Sequence, residues 1–148
     1  MDKILAQNRK ALHDYEILER FEAGIELQGT EVKSIRAGRI NLLDSYGHCE
    51  KGQLFVYHLH ISPYEHGHSY NHDPYRKRKL LMHGPEIHRL SREVELKQLT
   101  LVPLAVYFKK QWVKVEIGLC RGLKKYDKRQ KIAREDSKRR LDKLMKSR

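Results

Sequence analysis

Asp73-Pro74-Tyr75-Arg76-Lys77-Arg78-Lys79 sets four cations in an unbroken row at the end of a segment rich in His, Gly, Asn and Pro. Guanidinium groups offer paired hydrogen bonds to phosphate, and the nearby Tyr70 and Tyr75 offer rings on which an unpaired base can stack. The chemistry available is RNA recognition, with Arg76, Arg78 and Lys79 as a phosphate clamp. A solvated charge run is the bland alternative, and on this row alone the two readings are even. The C-terminus breaks the tie. From Arg121 to Arg148 there are 13 Lys/Arg against 4 Asp/Glu, a net of +9 out of +12 for the whole chain. So one-signed a segment points to a polyanionic partner, and RNA is the most abundant large polyanion in a cell.

Other chemistries are poorly supplied. His66, His68 and His72 lie close together with Asp73 adjacent, a ligand set that a metal-dependent nuclease could use. Their spacing matches no established site and the segment reads as flexible, so exposed loop histidines are the favoured account and no metal is expected. His13 and Asp14 are adjacent, so they project differently and make no base–orienter pair. No nucleophile motif, phosphate-cradling glycine loop or HExxH occurs. An enzyme is not expected, nor is a cofactor. Cys49 and Cys120 are too few and too far apart for a disulfide framework or a zinc site, and read as reduced thiols. No apolar run approaches the roughly 20 residues of a membrane span, and Met1–Lys10 lacks a signal-length apolar stretch, so a cytoplasmic protein is expected.

The elements that must carry these groups follow from periodicity. Residues 15–27 read as a strand with Gly24 at a bulge, and Gly29 ends it. Thr30 caps a short helix whose Val32 and Ile35 face inward, with Gly38 closing it. Two strands flank the turn Glu50-Lys51-Gly52, and Phe55, Tyr57, Leu59 and Ile61 alternate as one buried face. Pro63–Arg78 reads as a long mobile loop. Gly84-Pro85-Glu86 starts a second helix buried through Ile87, Leu90 and Val94. A hairpin turns at Lys109-Lys110-Gln111, with Pro103 suggesting an edge or a strand start. The expectation is a mainly β fold: an OB-like antiparallel barrel of about six strands with two to three flanking helices. It occupies residues 1–122. Residues 123–148 form a basic tail whose thin stripe of Leu141, Leu144 and Met145 predicts disorder when free and a helix when bound.

Several motifs carry a resemblance. Glu22-Ala23-Gly24-Ile25, Gly29-Thr30-Glu31-Val32-Lys33-Ser34-Ile35-Arg36-Ala37-Gly38, Asp73-Pro74 with Arg78-Lys79-Leu80-Leu81, and Gly122-Leu123-Lys124-Lys125-Tyr126-Asp127-Lys128-Arg129 together resemble the signature of the small protein B (SmpB) family. The likeness runs in order through essentially the entire chain. It implies an OB-like barrel that binds transfer-messenger RNA (tmRNA) at its tRNA-like domain. It also implies delivery of alanyl-tmRNA, with elongation factor Tu and GTP, to bacterial ribosomes stalled on messages without a stop codon. No reaction is catalysed by the protein, and a monomer is the simplest state. The tail is implied to lie in the vacant mRNA channel near the small-subunit decoding centre.

Carried over position by position, Asn8, Glu22 and Leu81 match residues implicated in tmRNA recognition, and Lys79 shares their basic segment. Lys33 and Arg36 on the TEVKS helix region, with Arg76 and Arg78, complete the expected tmRNA-binding set. His13 matches a histidine facing the decoding region. Tyr126, Asp127, Lys128 and Arg129 match the tail-entry motif, and Leu144-Met145 a late apolar pair tied to accommodation. Some members have His at the position of Tyr126 and Trp at that of Ser137, so a stacking ring is kept at the first and absent at the second. A general OB-fold binder of ribosomal or single-stranded RNA is the alternative, distinguished by equal affinity for unrelated RNAs.

Overall fold

The structure, a computed structural model, describes residues 3–67, 70–123 and 125–146, with the backbone alone for 125–128 and 146. Its strands, in chain order, are β1 (Lys3–Gln7), β2 (Tyr15–Ile25), β3 (Ile40–Asn41), β4 (Tyr46–Glu50), β5 (Gln53–Tyr57), β6 (His60–Ile61), β7 (Arg78–Leu81), β8 (Thr100–Lys109) and β9 (Trp112–Gly122). The helices are α1 (Arg9–Asp14), α2 (Gly29–Arg36), α3 (Gly84–Lys97) and α4 (Lys125–Lys146). Strands β8, β4, β5, β7, β2 and β9 pair in that order, and β9 returns to β8, closing a ring of antiparallel strands. β1 adds to β8 beside β4, and β3 pairs with β6 as a separate ribbon. Closure leaves the ring no free edge, so its backbone is satisfied internally.

The hairpins form where the turn residues permit them. Lys51 and Gly52 take φ of 48° and 76° between β4 and β5, the positive-φ pair that matches the right-handed twist of the flanking strands. Leu54 and Val56 supply the buried face of β5, not Phe55 and Tyr57. His58 at φ 58° then breaks the alternation, which is why Leu59 and Ile61 beyond it are buried again. The alternation expected to run from Phe55 to Ile61 is reset by the backbone at His58.

Three other local expectations change. The bulge in β2 falls between Ile17 and Glu19, while Gly24 is regularly paired with Leu81. A Cβ at Gly24 would sit 3.3 Å from that of Leu81, so the glycine serves close strand approach. Pro103 lies inside β8 at a register shift opposite β9, at neither an edge nor a strand start. A bulge tolerates proline because the ladder is already interrupted there. Helix α2 is capped by Gln28, whose side chain and that of Glu31 form a reciprocal capping box. Thr30 is freed for a different bond, and Gly29 opens the helix instead of ending the strand. Gly38, at φ 76°, does close it.

The main core gathers Ile35 from α2, Leu54 and Val56 from β5, Leu80 from β7, Ile87 and Leu90 from α3, and Val115, Ile117 and Leu119 from β9. A second cluster joins Ala11 of α1 to Val102, Leu104 and Cys120. Burial pushes the Cys120 thiol up to about 11, against the pull of the Arg20 and Lys131 charges, and keeps it in the inert thiol form. Helix α1, too short for an apolar stripe to announce it, was missed by periodicity. Leu141, Leu144 and Met145 are exposed along α4. Among the described residues no helix is long and apolar enough to cross a membrane.

Candidate nucleic-acid interface

The cation row splits when folded. Arg78 is fully buried: it pairs through Nε with Glu31 Oε2, and Nη2 donates to the carbonyls of Asp73 and Pro74 at 3.3 and 3.2 Å. Its Nη1 also donates to the Leu59 carbonyl. Arg76 takes the other Glu31 oxygen at 2.6 Å. The expected phosphate contact of Arg78 is therefore corrected: both ends of its fork are used inside the protein. Sequence cannot separate a buried guanidinium from an exposed one in a run of four. Glu31 is the partner that claims both arginines, and it also accepts the Gln28 N–H at 2.7 Å. Together these bonds fasten α2, the start of β7 with the segment before it, and the β5–β6 connection into one unit.

Lys77 and Lys79 stay on the outer face. Lys77 reaches Glu50 at 3.2 Å and lies 4.3 Å from the centroid of the Phe55 ring. Lys79 pairs across the ladder with Phe55 and is half-buried. Tyr46 and Tyr57 stack at 5.4 Å on the same hairpin, and Tyr75 packs 4.8 Å from His60. Tyr70 and Tyr75 are exposed. Outward aromatic rings beside lysines present the π faces and charges that unpaired nucleotides use.

The second group is built by strand register. Glu22 and Gly24 on β2 lie opposite Glu116 and Lys114 of β9, and Gly24 lies opposite Leu81 of β7. Ala23 and Leu80 point inward, so Glu22, Leu81 and Lys114 share the outer surface. Leu81 is 46% exposed, an apolar side chain held out of the core by the pleat. Tyr107 O–H donates to Glu22, and Lys109 Nζ lies 3.3 Å from its other oxygen. The hydroxyl bond outweighs partial burial and, with Lys109 and Lys114, holds the carboxyl below its usual range. A charged acceptor is thereby presented between lysines. Tyr107, Lys109 and Lys114 were missed by sequence reasoning, although the alternation of Lys114 and Glu116 with Val113, Val115 and Ile117 already marks which of them face out.

Lys33 and Arg36 are exposed on α2, each over a ring: Lys33 at 5.3 Å from Tyr64 and Arg36 at 5.5 Å from Phe108. Asn8 is placed differently from a surface contact. Only 6% exposed, it caps α1 by accepting the Ala11 N–H at 3.1 Å, and its amide donates to the carbonyls of Pro103 and Leu42 at 3.1 and 3.3 Å. Its effect on any bound RNA must run through the seating of α1. Asn8→Ala loses the cap and strands two buried carbonyls, which costs about 1–3 kcal/mol of stability by urea denaturation. Undiminished stability would show that the cap is dispensable.

His13 is exposed on α1, 3.5 Å from Asp14. Arg129 is exposed on α4, as are Leu144 and Met145; the side chains of Tyr126, Asp127 and Lys128 lie outside the described residues. His68 also lies outside them. His66 is exposed against Tyr64, whereas His72 is buried, with Nδ1 2.9 Å from the Thr30 hydroxyl and Nε2 2.8 Å from the Ile61 carbonyl. Both His72 nitrogens are thus occupied. Among the described residues no group of three or more His, Cys, Asp or Glu is placed to hold a metal ion. The loop that carries these histidines is tied down at His72 and again at Asn71, which bonds both the N–H and the carbonyl of Tyr64.

Comparison with known proteins places this arrangement. The family described as SmpB protein matches residues 5–147. The SsrA-binding protein of Carboxydothermus hydrogenoformans is 56% identical over 148 residues, covering 100% of this chain and 99% of that protein. That of Listeria monocytogenes is 53% identical over 146 residues, covering 99% and 95%. A solved chain described as "tmRNA-SmpB: a journey to the center of the bacterial ribosome" superposes with a TM-score of 0.70 at 48% identity, covering 88% of this chain and 94% of that one. With its family motifs in register from end to end, the chain belongs to the SmpB family.

Proposed function

We propose that this protein binds tmRNA and takes it to stalled bacterial ribosomes for trans-translation, so that nascent chains are tagged for degradation and the ribosomes released. The observation that carries this is the family match across residues 5–147. The chain divides the work. Residues 1–122 select tmRNA, chiefly its tRNA-like domain, through the outer surface holding Glu22, Leu81 and Lys79, extended by Lys109 and Lys114. Lys33, Arg36 and Arg76 border it with further positive charge. Residues 123–148 enter the mRNA channel at the decoding centre, with His13 at the base and Leu144-Met145 far along it. A message-filled channel excludes this segment sterically, whereas an empty one offers phosphates to its cations and repays helix ordering. The tail is then a sensor of absence. Tyr126, Asp127, Lys128 and Arg129 are the residues that enter first.

The protein acts in the cytoplasm as a monomer, alongside elongation factor Tu and GTP carried on alanyl-tmRNA, and catalyses no reaction itself. Glu22→Ala and Leu81→Ala each weaken tmRNA binding about tenfold, about 1.4 kcal/mol, by gel shift at physiological salt. Because both side chains are exposed, melting temperatures stay close to that of the parent. Unchanged affinity in both variants would remove this surface from recognition.

A further inference from the structure

We propose that Tyr107 is a positioning residue that holds the Glu22 carboxylate ready to accept two N–H groups from the edge of an unpaired guanine. This role rests on the tmRNA-binding function proposed above. An acidic group on a surface that meets RNA repels phosphate, so it gains only from hydrogen-bond donors, and in RNA the bases supply them. The Tyr107 hydroxyl donates to Glu22 Oε2 and the Lys109 ammonium lies 3.3 Å from Oε1, so each oxygen has one partner among the described residues. A carboxylate offers about four lone-pair sites, shared equally by its oxygens, so one stays open on each. The Glu22 side chain is 38% exposed, which leaves those sites within reach of a ligand. Guanine carries two adjacent N–H donors on its Watson–Crick edge, at N1 and the 2-amino group, and they match the two oxygens. Base pairing uses both donors, so the guanine that is read must be unpaired.

Tyr107, more than Lys109, fixes the geometry. It is buried on β8, paired with Ile4 of β1 on one side and Lys114 of β9 on the other. Packing has already ordered its ring, whereas Lys109 is a long flexible chain, 51% exposed. Glu116 lies directly across from Glu22 on β9, but Arg20 of β2 takes it at 2.5 Å, which offsets the repulsion between like charges. The Tyr107 bond leads in keeping the Glu22 carboxyl below its usual range, against partial burial and with Lys109 of β8 and Lys114 of β9 in support. From β7 the neighbour is Leu81, opposite Gly24. With no side chain at Gly24, exposed Leu81 and the bare backbone beside Glu22 form an apolar shelf for the face of a base whose edge meets the carboxylate.

The test starts from Tyr107→Phe, which removes the hydroxyl and keeps the ring. Water replaces the lost donor at the exposed carboxylate, so the melting temperature stays near that of the parent. In the full chain without RNA, the Glu22 carboxyl carbon followed by NMR titrates at higher pH in Tyr107→Phe than in the parent. A midpoint that does not move overturns the positioning role. At neutral pH Tyr107→Phe weakens tmRNA binding about fivefold when Glu22 is present and not at all in Glu22→Ala. Equal losses in both backgrounds would show that the tyrosine acts without Glu22. Inosine, which lacks the 2-amino donor, is then incorporated at random in place of guanine in tmRNA, and bound molecules are separated from unbound. At one unpaired guanine the parent rejects inosine and Glu22→Ala tolerates it. Tolerance by the parent at every unpaired guanine would overturn base reading. The titration needs no RNA; a parent with no preference for tmRNA over a competitor tRNA would count against the proposed function alone.

Discussion

Deletion of residues 123–148 leaves tmRNA affinity at physiological salt within about twofold of the full chain, ~0.4 kcal/mol, and abolishes tagging on ribosomes stalled without a stop codon. The first half of this result follows from packing. Every residue of both core clusters lies at or before Cys120, so the barrel keeps its core when the tail is removed. The surface of Glu22, Leu81 and Lys114 lies on β2, β7 and β9 and loses nothing. The second half follows from charge and length. The deleted segment carries most of the net positive charge and the only large aliphatics beyond the barrel. Affinity for unrelated RNA falls and its salt dependence flattens, because fewer cations release fewer counterions. Tagging by the shortened protein would show that the tail senses nothing.

Replacing Glu31 has the largest effect on stability. Its side chain is wholly buried between Arg78, also wholly buried, and Arg76. Glu31→Gln leaves two guanidinium groups facing a neutral amide, and uncompensated buried charge costs about 3–5 kcal/mol. For a chain of this size that is a fall of about 6–20 °C in melting temperature. The pH dependence has a definite sign. Burial pushes the Glu31 carboxyl up, but bonds from Arg76, the Gln28 N–H and Arg78 outweigh it and leave it below the ordinary range. On acidification the unfolded chain therefore takes up the proton first. The stabilisation is present above the ordinary carboxylate pKa, about 4, and is lost as pH falls through the lower folded value. Glu31→Gln shows a shallower acid limb than the parent in urea denaturation between neutral pH and that value. Equal stability at neutral pH together with a parallel acid limb would remove the network from the stability account.

What could be read beforehand depended on whether a signal was local. The strand hairpins at Lys51-Gly52 and Lys110-Gln111, and helix α3 after Gly84-Pro85, are set by turn chemistry and helical period, and each forms where it was expected. Single-residue resets were not visible: the left-handed backbone at His58 reverses which residues of β5 are buried, and no composition rule marks it. Partnering across the fold was likewise hidden. Arg78 is 47 positions from Glu31, and Thr30 is 42 from His72, so neither the buried ion pair nor the tethered loop leaves a nearby pattern. The outer surface was half legible. Leu81 and Glu22 came through the family motifs, whereas Lys109, Lys114 and Tyr107 enter only once register sets β9 beside β2 and β8 beside β9. Asn8 shows the converse case: its position matches one implicated in recognition, yet its side chain is spent on capping α1.

Specific recognition by the barrel is tested most directly by measuring the affinity of residues 1–122 for tmRNA against a competitor tRNA across a salt series, beside the full chain. The account predicts that the barrel alone keeps its preference for tmRNA as salt rises, while the preference of the full chain is no greater. Loss of discrimination in the barrel, with both RNAs bound equally and released together by salt, would contradict it.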